Sequence, residues 1–322
     1  MPAERGGPRR VVRGGEDRPL FTTRRRRMAE TTRSDPMTNG PVVVGTDGSD
    51  HATRAVRWAV GEAVARGQVL RMVYATATHG AVYLSPKDVR AIDSMAADVL
   101  DEAAALVHGL APELRVTAHV CERGTAECLL DEAGSGAMIV VGSRGRGGFA
   151  SLLVGSDSLK VAASSPVPVT VVPGGTDRRP TGVVMVAARD SRDEAPLRAA
   201  ARLAERRGAR LEVLSAWVLL QNVGSMATVF SGAELDRIAS DQAAATARLV
   251  AELRQDFPGL TVTERVARVG SVAEALVTAS SGADMIVIGA RRRPHSIGSP
   301  LGGVTHAVLH HAPCPVVLVP HR

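Results

Sequence analysis

Aromatic residues are nearly absent from this 322-residue chain, which holds four Phe, two Trp and two Tyr, or 2% of the total. Modules that bind nucleic acids by stacking bases on aromatic rings are therefore not expected. The hydrophobic share is nonetheless 45%, so the cores must be built from Val, Leu, Ile and Ala. Such residues suit strands that are buried on both faces of a parallel sheet.

Long apolar runs and metal-ligand spacings are missing too. No run of 18 apolar residues occurs, so the sequence predicts no membrane span. The N-terminus has arginines but lacks the apolar segment of a secretory signal. Cysteine is sparse and odd in number, with Cys121, Cys128 and Cys314. This usage predicts reduced thiols and a cytoplasmic protein.

Lysine is absent from residues 1–36, which hold ten Arg and five acidic residues and so carry +5 of the net charge of +6. Residues 37–322 are nearly neutral, so neither nucleic acid nor a membrane is an expected partner. The composition of the tail predicts disorder. Two interpretations stay open. The favoured one is a solvated tail ahead of a true start at Met37, and the other is a basic arm, Arg24 to Arg27, that contacts anionic surfaces.

Apolar runs alternate with amphipathic segments in the first half of the chain. Strands are predicted at 42–46, 69–75, 114–120, 138–141 and 167–172. Helices are predicted at 51–66, 87–110, 125–133 and 154–163. This alternation is typical of parallel strands joined by right-handed crossovers.

The same pattern then repeats. The second copy follows the first at an offset of 141 near its start and 147 from Ile139/Ile286 to Pro173/Pro320. A tandem duplication of one domain explains this self-similarity. The predicted organisation is a disordered tail at 1–36, a first domain at 37–174, a linker at 175–180 and a second domain at 181–322.

A glycine-rich loop lies between Met138 and Ser156, with the spacing G-x2-G-x9-G-S. Glycines let backbone N–H groups approach an anion, and the free amides of the helix that follows point at it. Ser156 adds a hydroxyl donor, and Arg144 and Arg146 add positive charge. A plain strand-to-helix turn is the alternative, but the long spacing favours phosphate binding.

This spacing resembles the nucleotide-binding signature of the universal stress protein family, in its ATP-binding branch. Both copies resemble domains of that family, over residues 41–320. The resemblance implies an α/β fold: two tandem doubly wound domains, each with a five-stranded parallel sheet of order 3-2-1-4-5, of the adenine nucleotide alpha hydrolase-like type. In such sheets ligands bind where the chain reverses direction, here between the first and fourth strands.

The resemblance also implies roles for single residues. Asp47 would hold the ribose, and Val73 would meet adenine through its backbone. The spaced glycines and Ser156 would cradle the ribose and phosphates. Asp47 could instead serve only as an Asx-turn residue, and Arg144 and Arg146 could be solvated. The expected nucleotide-binding set is Gly45, Thr46, Asp47, Val73, Gly142, Ser143, Arg144, Gly145, Arg146, Gly155, Ser156 and Asp157.

The second copy departs from the signature. Arg292 stands opposite Gly145, and Gly303 stands opposite Ser156. Ala188 aligns with Asp47, with Asp190 as a substitute if the loop shifts. We therefore expect weak or absent ATP binding in the second domain, unless Arg292 swings out to bind phosphate.

No acid–base pair, nucleophile–base pair or metal cluster accompanies the glycine loop in the sequence, and the lysine of the P-loop is missing. A fast ATPase is not indicated. The favoured function is a stress-response protein in which ATP, with or without Mg²⁺, switches conformation or partner binding. The alternatives are a slow ATPase or phosphotransfer enzyme, and a dimerisation scaffold that works without nucleotide.

The fifth strands of the two domains are expected to pair, which makes one chain an intramolecular pseudo-dimer. A homodimer of such chains is a further expected possibility.

Overall fold

The structure is a computed structural model, and it divides into two compact units, Met1–Gly174 and Gly175–Arg322. Each unit is an α/β domain built around a mainly parallel sheet. The residues that the structure describes are 9–12, 40–146, 154–175, 178–219, 222–223, 226–227, 231–291 and 301–321.

The first unit alternates strands and helices in the predicted order. Its strands are β1 (Arg9–Val12), β2 (Val42–Gly45), β3 (Leu70–Ala75), β4 (Val116–Cys121), β5 (Met138–Gly142) and β6 (Val169–Val172). Its helices are α1 (Asp50–Arg66), α2 (Pro86–Leu110), α3 (Thr125–Ala133) and α4 (Ser156–Ser164). The fourth helix begins two residues later than predicted, because Gly155 has an extended backbone and forms the cap.

The five parallel strands of this unit are ordered β4-β3-β2-β5-β6. This is the order 3-2-1-4-5 that the resemblance implies, and the expected fold class is confirmed. Strand β2 lies between β3 and β5, with Val42 opposite both Leu70 and Met138. The chain therefore reverses its direction of progress between β2 and β5, and the carboxyl ends of these strands are neighbours.

Helix α1 is capped by Ser49 at its start and by Gly67 at its end, and serine and glycine are residue types that favour the start and the end of a helix. The Ser49 side chain accepts a hydrogen bond from the backbone N–H of Ala52, and Gly67 closes the helix with a left-handed backbone, φ 61°. Buried alanines and valines line the face of α1 toward the sheet. At this face α1 contacts β2 and β5, so its first turn lies beside the strand ends.

Strand β1 belongs to the tail for which the composition predicts disorder. Its backbone pairs antiparallel with β4, with Arg9 opposite His119 and Val12 opposite Val116. For these four residues the structure differs from the prediction, because the outer edge of β4 offers free backbone groups to a further strand. The remainder of residues 1–36 lies outside the described residues.

The second unit repeats the architecture. Its strands are β7 (Val183–Ala187), β8 (Arg210–Trp217), β9 (Asn222–Val223), β10 (Met226–Ala227), β11 (Val262–Arg268), β12 (Met285–Arg291) and β13 (Val316–His321). Its helices are α5 (Glu194–Arg207), α6 (Gly232–Asp256), α7 (Val272–Ser280) and α8 (Gly303–His311), with a 3-10 turn at Ser191–Asp193. The parallel strands are ordered β11-β8-β7-β12-β13, and β9 pairs with β10 as a separate two-stranded ribbon.

A disulfide joins Cys121, the last residue of β4, to Cys128 in α3. The prediction of three reduced thiols is therefore wrong for this pair. Helix α3 starts four residues after β4 ends, and this short connection keeps the two Cα atoms 6.1 Å apart, which is within bonding range. Cys314 is free and buried, and burial raises the pKa of its thiol to about 11.

Reduction of this disulfide should destabilise the first unit. Closure of a short loop is expected to lower the free energy of the folded state, relative to the unfolded chain, by about 2 to 3 kcal/mol. Trp58 lies in the first unit and Trp217 in the second, so urea unfolding followed by Trp58 fluorescence in a Trp217→Phe background reports the first unit. The double variant Cys121→Ser/Cys128→Ser should be insensitive to reductant. Three titratable thiols in the unreduced, unfolded chain would contradict the assignment, which predicts one.

Gly142 at the end of β5 should tolerate no side chain. A Cβ there would lie 2.7 Å from the backbone C and O of His51, in the first turn of α1. Gly142→Ala should therefore cost about 1 to 3 kcal/mol of stability through overpacking. The matched control is Gly61→Ala on the exposed side of α1, where nothing lies within 4 Å and alanine should stabilise the helix. Equal melting temperatures for the two variants would contradict the close approach.

Candidate functional site

A cavity of about 400 Å³ opens at the carboxyl ends of β2 and β5 in the first unit. It lies at the reversal point of the sheet, where ligands of open α/β sheets bind. Its walls come from the ends of β2, β3 and β5 and from the first turns of α1, α3 and α4. The lining residues are Gly45, Thr46, Asp47, Ala52, Val73, Ala75, Thr125, Val141, Gly142, Arg144, Gly145, Arg146, Gly155, Ser156, Asp157 and Ser158.

Asp47 joins two distant parts of the chain at this cavity. Its Oδ1 accepts a hydrogen bond from the backbone N–H of Ser49 at 3.0 Å, which is an Asx turn. Its Oδ2 accepts from the backbone N–H of Arg146 at 2.6 Å. The two interpretations of Asp47 are thus compatible, since a carboxylate has about four acceptor positions and these two contacts occupy two of them.

Gly145 and Gly48 permit this close approach. A Cβ on Gly145 would lie 2.5 Å from Oδ2 of Asp47, so any side chain there would displace the carboxylate. Gly48 has φ +78°, a left-handed backbone that favours glycine, and a Cβ there would meet the Arg146 side chain at 2.7 Å. The absence of side chains at these two glycines therefore allows the loop after β5 to pack closely against the loop after β2.

Two hydrogen bonds hold the start of α4 at the end of β5. The Ser158 hydroxyl donates to the carbonyl oxygen of Gly142 at 2.7 Å, and it is buried. The backbone N–H of Gly155 donates to the carbonyl oxygen of Ser143 at 2.7 Å. Residues 147–153 of the connecting loop lie outside the described residues. The two hydrogen bonds therefore fix the position of α4 relative to β5 on either side of that stretch.

The first turn of α4 faces the cavity through Ser156, Asp157 and Ser158. Gly155 caps this helix without a side-chain hydrogen bond. Because the first amides of a helix have no partner within the helix, they are available as donors to an anion. Ser156 is exposed in this turn, and its role as a hydroxyl donor stays a prediction.

Thr125 is a lining residue that the sequence analysis did not select. It is the first residue of α3, and its Oγ1 donates to Oδ2 of Asp157 at 3.0 Å. Ala52, Ala75, Val141 and Ser158 were also not selected. The alternation of side chains along β3 could have indicated Ala75, two residues after Val73, whereas Thr125 depends on how α3 packs.

Ser143 is the one member of the expected set that does not line the cavity. Its side chain is buried, and its Oγ lies 3.0 Å from Nδ1 of His51. The other eleven expected residues all lie in the wall. Ser143 thus stabilises the site indirectly, because its contact with His51 joins the loop after β5 to the first turn of α1.

The pKa of the His51 imidazole depends on burial and on the charged residues around it. Burial, and then the positive charges of Arg144 and Arg54, lower the pKa of its imidazole, which Asp50 and Asp47 raise to a smaller extent. His51 is therefore neutral at neutral pH. The positive charge of Arg144 thus acts at the cavity wall.

The second unit has a cavity of about 270 Å³ at the carboxyl ends of β7 and β12. Its hydrogen bonds correct the sequence alignment by one residue. The backbone N–H of Thr46 donates to Val73 in the first unit, and that of Ala188 donates to Leu214 in the second. Ala188 thus corresponds to Thr46, and the counterpart of Asp47 is Arg189.

Asp190 does not replace Asp47. Its carboxylate is the cap of the 3-10 turn, pairs with Arg192 and is absent from the wall of the second cavity. The ion pair with Arg192 lowers the pKa of Asp190 well below its usual range. Arg292, the proposed obstruction of the second site, lies outside the described residues.

The described residues hold neither a metal-type cluster nor a membrane-type helix. No group of three or more His, Cys, Asp or Glu in these stretches could hold a metal ion. Likewise, none of the described helices combines the length and apolar character needed to cross a bilayer.

Comparison with known proteins identifies the relatives of this chain. A relative from Mycolicibacterium smegmatis, a universal stress protein, is 28% identical over 308 residues, covering 87% of this chain and 97% of the relative. A universal stress protein of Mycobacterium tuberculosis is 26% identical over 310 residues, covering 88% and 96%. The crystal structure of a universal stress protein from Archaeoglobus fulgidus matches with a TM-score of 0.62 at 18% identity, covering 87% and 98%.

Shorter solved structures match with lower scores. A universal stress protein in complex with cAMP covers 44% of this chain with a TM-score of 0.34. The universal stress protein from Archaeoglobus fulgidus in complex with dAMP covers 45% with a TM-score of 0.31. The sequence profile of the universal stress protein family matches this chain twice, over residues 38–173 and 181–320. The chain therefore belongs to the universal stress protein family, with two tandem domains.

Proposed function

We propose that the first unit binds an adenine nucleotide, ATP in particular, and that occupancy switches the conformation or the partner contacts of the chain. One observation carries this proposal. The Asp47 carboxylate, the glycine-spaced loop after β5 and the first turn of α4 converge on one cavity of about 400 Å³, within the usual range for small-molecule sites.

The lining combines two kinds of chemistry. Val73, Ala75 and Val141 supply apolar surface that suits a flat base, and backbone groups of β3 suit the polar edge of that base. Arg144, Arg146 and the first amides of α4 supply cationic groups and donors that suit phosphates. Asp47 lies on the same wall, and its two remaining acceptor positions suit ribose hydroxyls.

An open volume of about 400 Å³ at these strand ends supports a ligand rather than a packed core. Gly145 contributes by letting the loop after β5 approach Asp47, because a Cβ there would lie 2.5 Å from Oδ2.

Binding is better supported than turnover. The two carboxylates of the wall already accept hydrogen bonds or pair with cations. Asp47 accepts from Ser49 and Arg146, and Asp157 accepts from Thr125 and lies 3.7 Å from Nζ of Lys160. A general base needs a free acceptor position directed at the attacking water. The remaining acceptor positions of Asp47 are assigned here to the ribose, so a switch rather than an ATPase is proposed.

We also propose that the second unit does not bind ATP. Arg189 stands where Asp47 would hold the ribose, and Gly303 and Val304 replace Ser156 and Asp157. Pairing of the fifth strands as a pseudo-dimer, assembly of two chains and a cytoplasmic location stay predictions.

Calorimetric titration with ATP should give one site per chain. Asp47→Asn replaces an acceptor with a donor that opposes the N–H of Arg146, so the Kd should rise about 10- to 100-fold. The matched control in the second unit is Asp190→Asn, which should leave both Kd and stoichiometry unchanged. Two sites per chain, or equal effects of the two variants, would contradict the proposal.

His51 should report phosphate binding through its pKa. Since Arg144 helps to lower the pKa of His51, a phosphate beside Arg144 should raise it. The expected sign is an imidazole that titrates below 6.5 in the free chain and at higher pH with saturating ATP. NMR of the His51 ring, assigned with His51→Gln, measures this shift, and adenosine, which lacks phosphate, serves as control. Identical midpoints with ATP and adenosine would place the phosphates elsewhere.

A further inference from the structure

The cavity of the second unit is built mainly from apolar side chains. It occupies the same position in its sheet as the nucleotide cavity of the first unit, but its volume is about 270 Å³ rather than 400 Å³. Its lining residues are Ala187, Ala188, Arg189, Asp193, Leu214, Ala216, Val272, Leu276, Ile288, Gly289, Gly302, Gly303, Val304 and Thr305.

Equivalent positions show a consistent loss of polar groups. Thr46 of the first cavity corresponds to Ala188, and Thr125, the first residue of α3, corresponds to Val272, the first residue of α7. At the start of the last helix, Ser156 and Asp157 correspond to Gly303 and Val304. Hydroxyls and a carboxylate that suit a nucleotide are thus replaced by hydrogen or hydrocarbon.

The charge that remains is compensated within the protein. Asp193 accepts from the backbone N–H of Arg189 at 2.9 Å, from its Nε at 3.2 Å and from its Nη2 at 3.1 Å. The side chain of Asp193 is 4% exposed, and Nε2 of His321 lies 3.6 Å from its Oδ1. Arg189 is the cation among the described lining residues. Its guanidinium forms a bidentate ion pair with the carboxylate of Asp193.

Small residues keep the cavity open. Ala187, Ala188, Ala216 and the two glycines at the start of α8 line it, although larger apolar side chains would fill it. Because most of the wall is apolar, an open cavity of this size favours an apolar guest over water.

We propose that the second unit binds a small, uncharged and largely apolar molecule, about the size of a bicyclic ring system, in this cavity. The ligand gains by transfer of its apolar surface from water to the hydrocarbon wall. It carries no phosphate, because the wall provides neither a free cation among its described residues nor the acceptors that the first unit offers to a ribose. The two units then sense two different classes of molecule.

Methyl NMR of the full chain tests this inference, with indole as the uncharged probe and AMP as the nucleotide probe. Leu214, Val272, Leu276 and Ile288 report the second cavity, and Val73 and Val141 report the first. Indole should shift the reporters of the second cavity saturably, with a Kd of about 1 mM or tighter. AMP should shift those of the first cavity alone, so failure of one result is separable from failure of the other.

Two variants localise the indole site. Ala216→Leu fills the cavity and should abolish the saturable shifts. Val304→Asp restores, at a half-exposed position, the carboxylate found in the first unit. It should weaken the binding of indole at least about tenfold. This variant still tests the inference if Ala216→Leu fails to fold. Ala75→Leu, the equivalent change in the first unit, should weaken AMP and leave indole binding intact.

The opposite results overturn the inference. They are no saturable shift in the second cavity up to the solubility of indole, indole binding that survives both variants, or AMP shifts in the second cavity as large as those in the first.

Discussion

The hydrogen bond from the backbone N–H of Arg146 to Oδ2 of Asp47, at 2.6 Å, is the contact on which the first site depends. It joins the loop after β2 to the loop after β5, 99 residues later in the chain. Because Gly145 has no side chain, the carboxylate comes within reach of this amide and still keeps two acceptor positions for a ligand. The Asx turn to Ser49 fixes the carboxylate from the other side. The cavity, its two arginines and the first turns of α1, α3 and α4 all lie around the Asp47 carboxylate.

The two units show how one scaffold is given different chemistry. Both have glycine at the equivalent position of the fourth parallel strand, but with different neighbours. A Cβ on Gly142 would meet the backbone of His51, and one on Gly289 would meet the ring of His321 at 2.5 Å. Both build a cavity at the reversal point of the sheet. What changes is the lining, where Asp47 gives way to Arg189, itself neutralised by Asp193. The two cavities therefore share a position in the fold and differ in the side chains that line them.

Much of this architecture is readable from the sequence, because apolar periodicity and the internal repeat specify strands, helices and the parallel topology. Ser49 and Gly67 also mark the ends of α1 correctly. The rest depends on packing at close range. The disulfide between Cys121 and Cys128 depends on the short connection between β4 and α3, and Thr125 reaches the cavity only because α3 packs on the sheet. Ser143 faces His51 rather than the cavity. A one-residue difference in the loop after β7 conceals the correspondence of Arg189 with Asp47 until the hydrogen bonds of β8 are known.

A crystal structure of the full chain grown with ATP is the most direct measurement of the central claim. The account predicts electron density for one nucleotide per chain, with the base beside Val73, the ribose on Asp47 and the phosphates at the first turn of α4. Nucleotide density at Arg189 in the second unit, or a first cavity without density at saturating ATP, would contradict it.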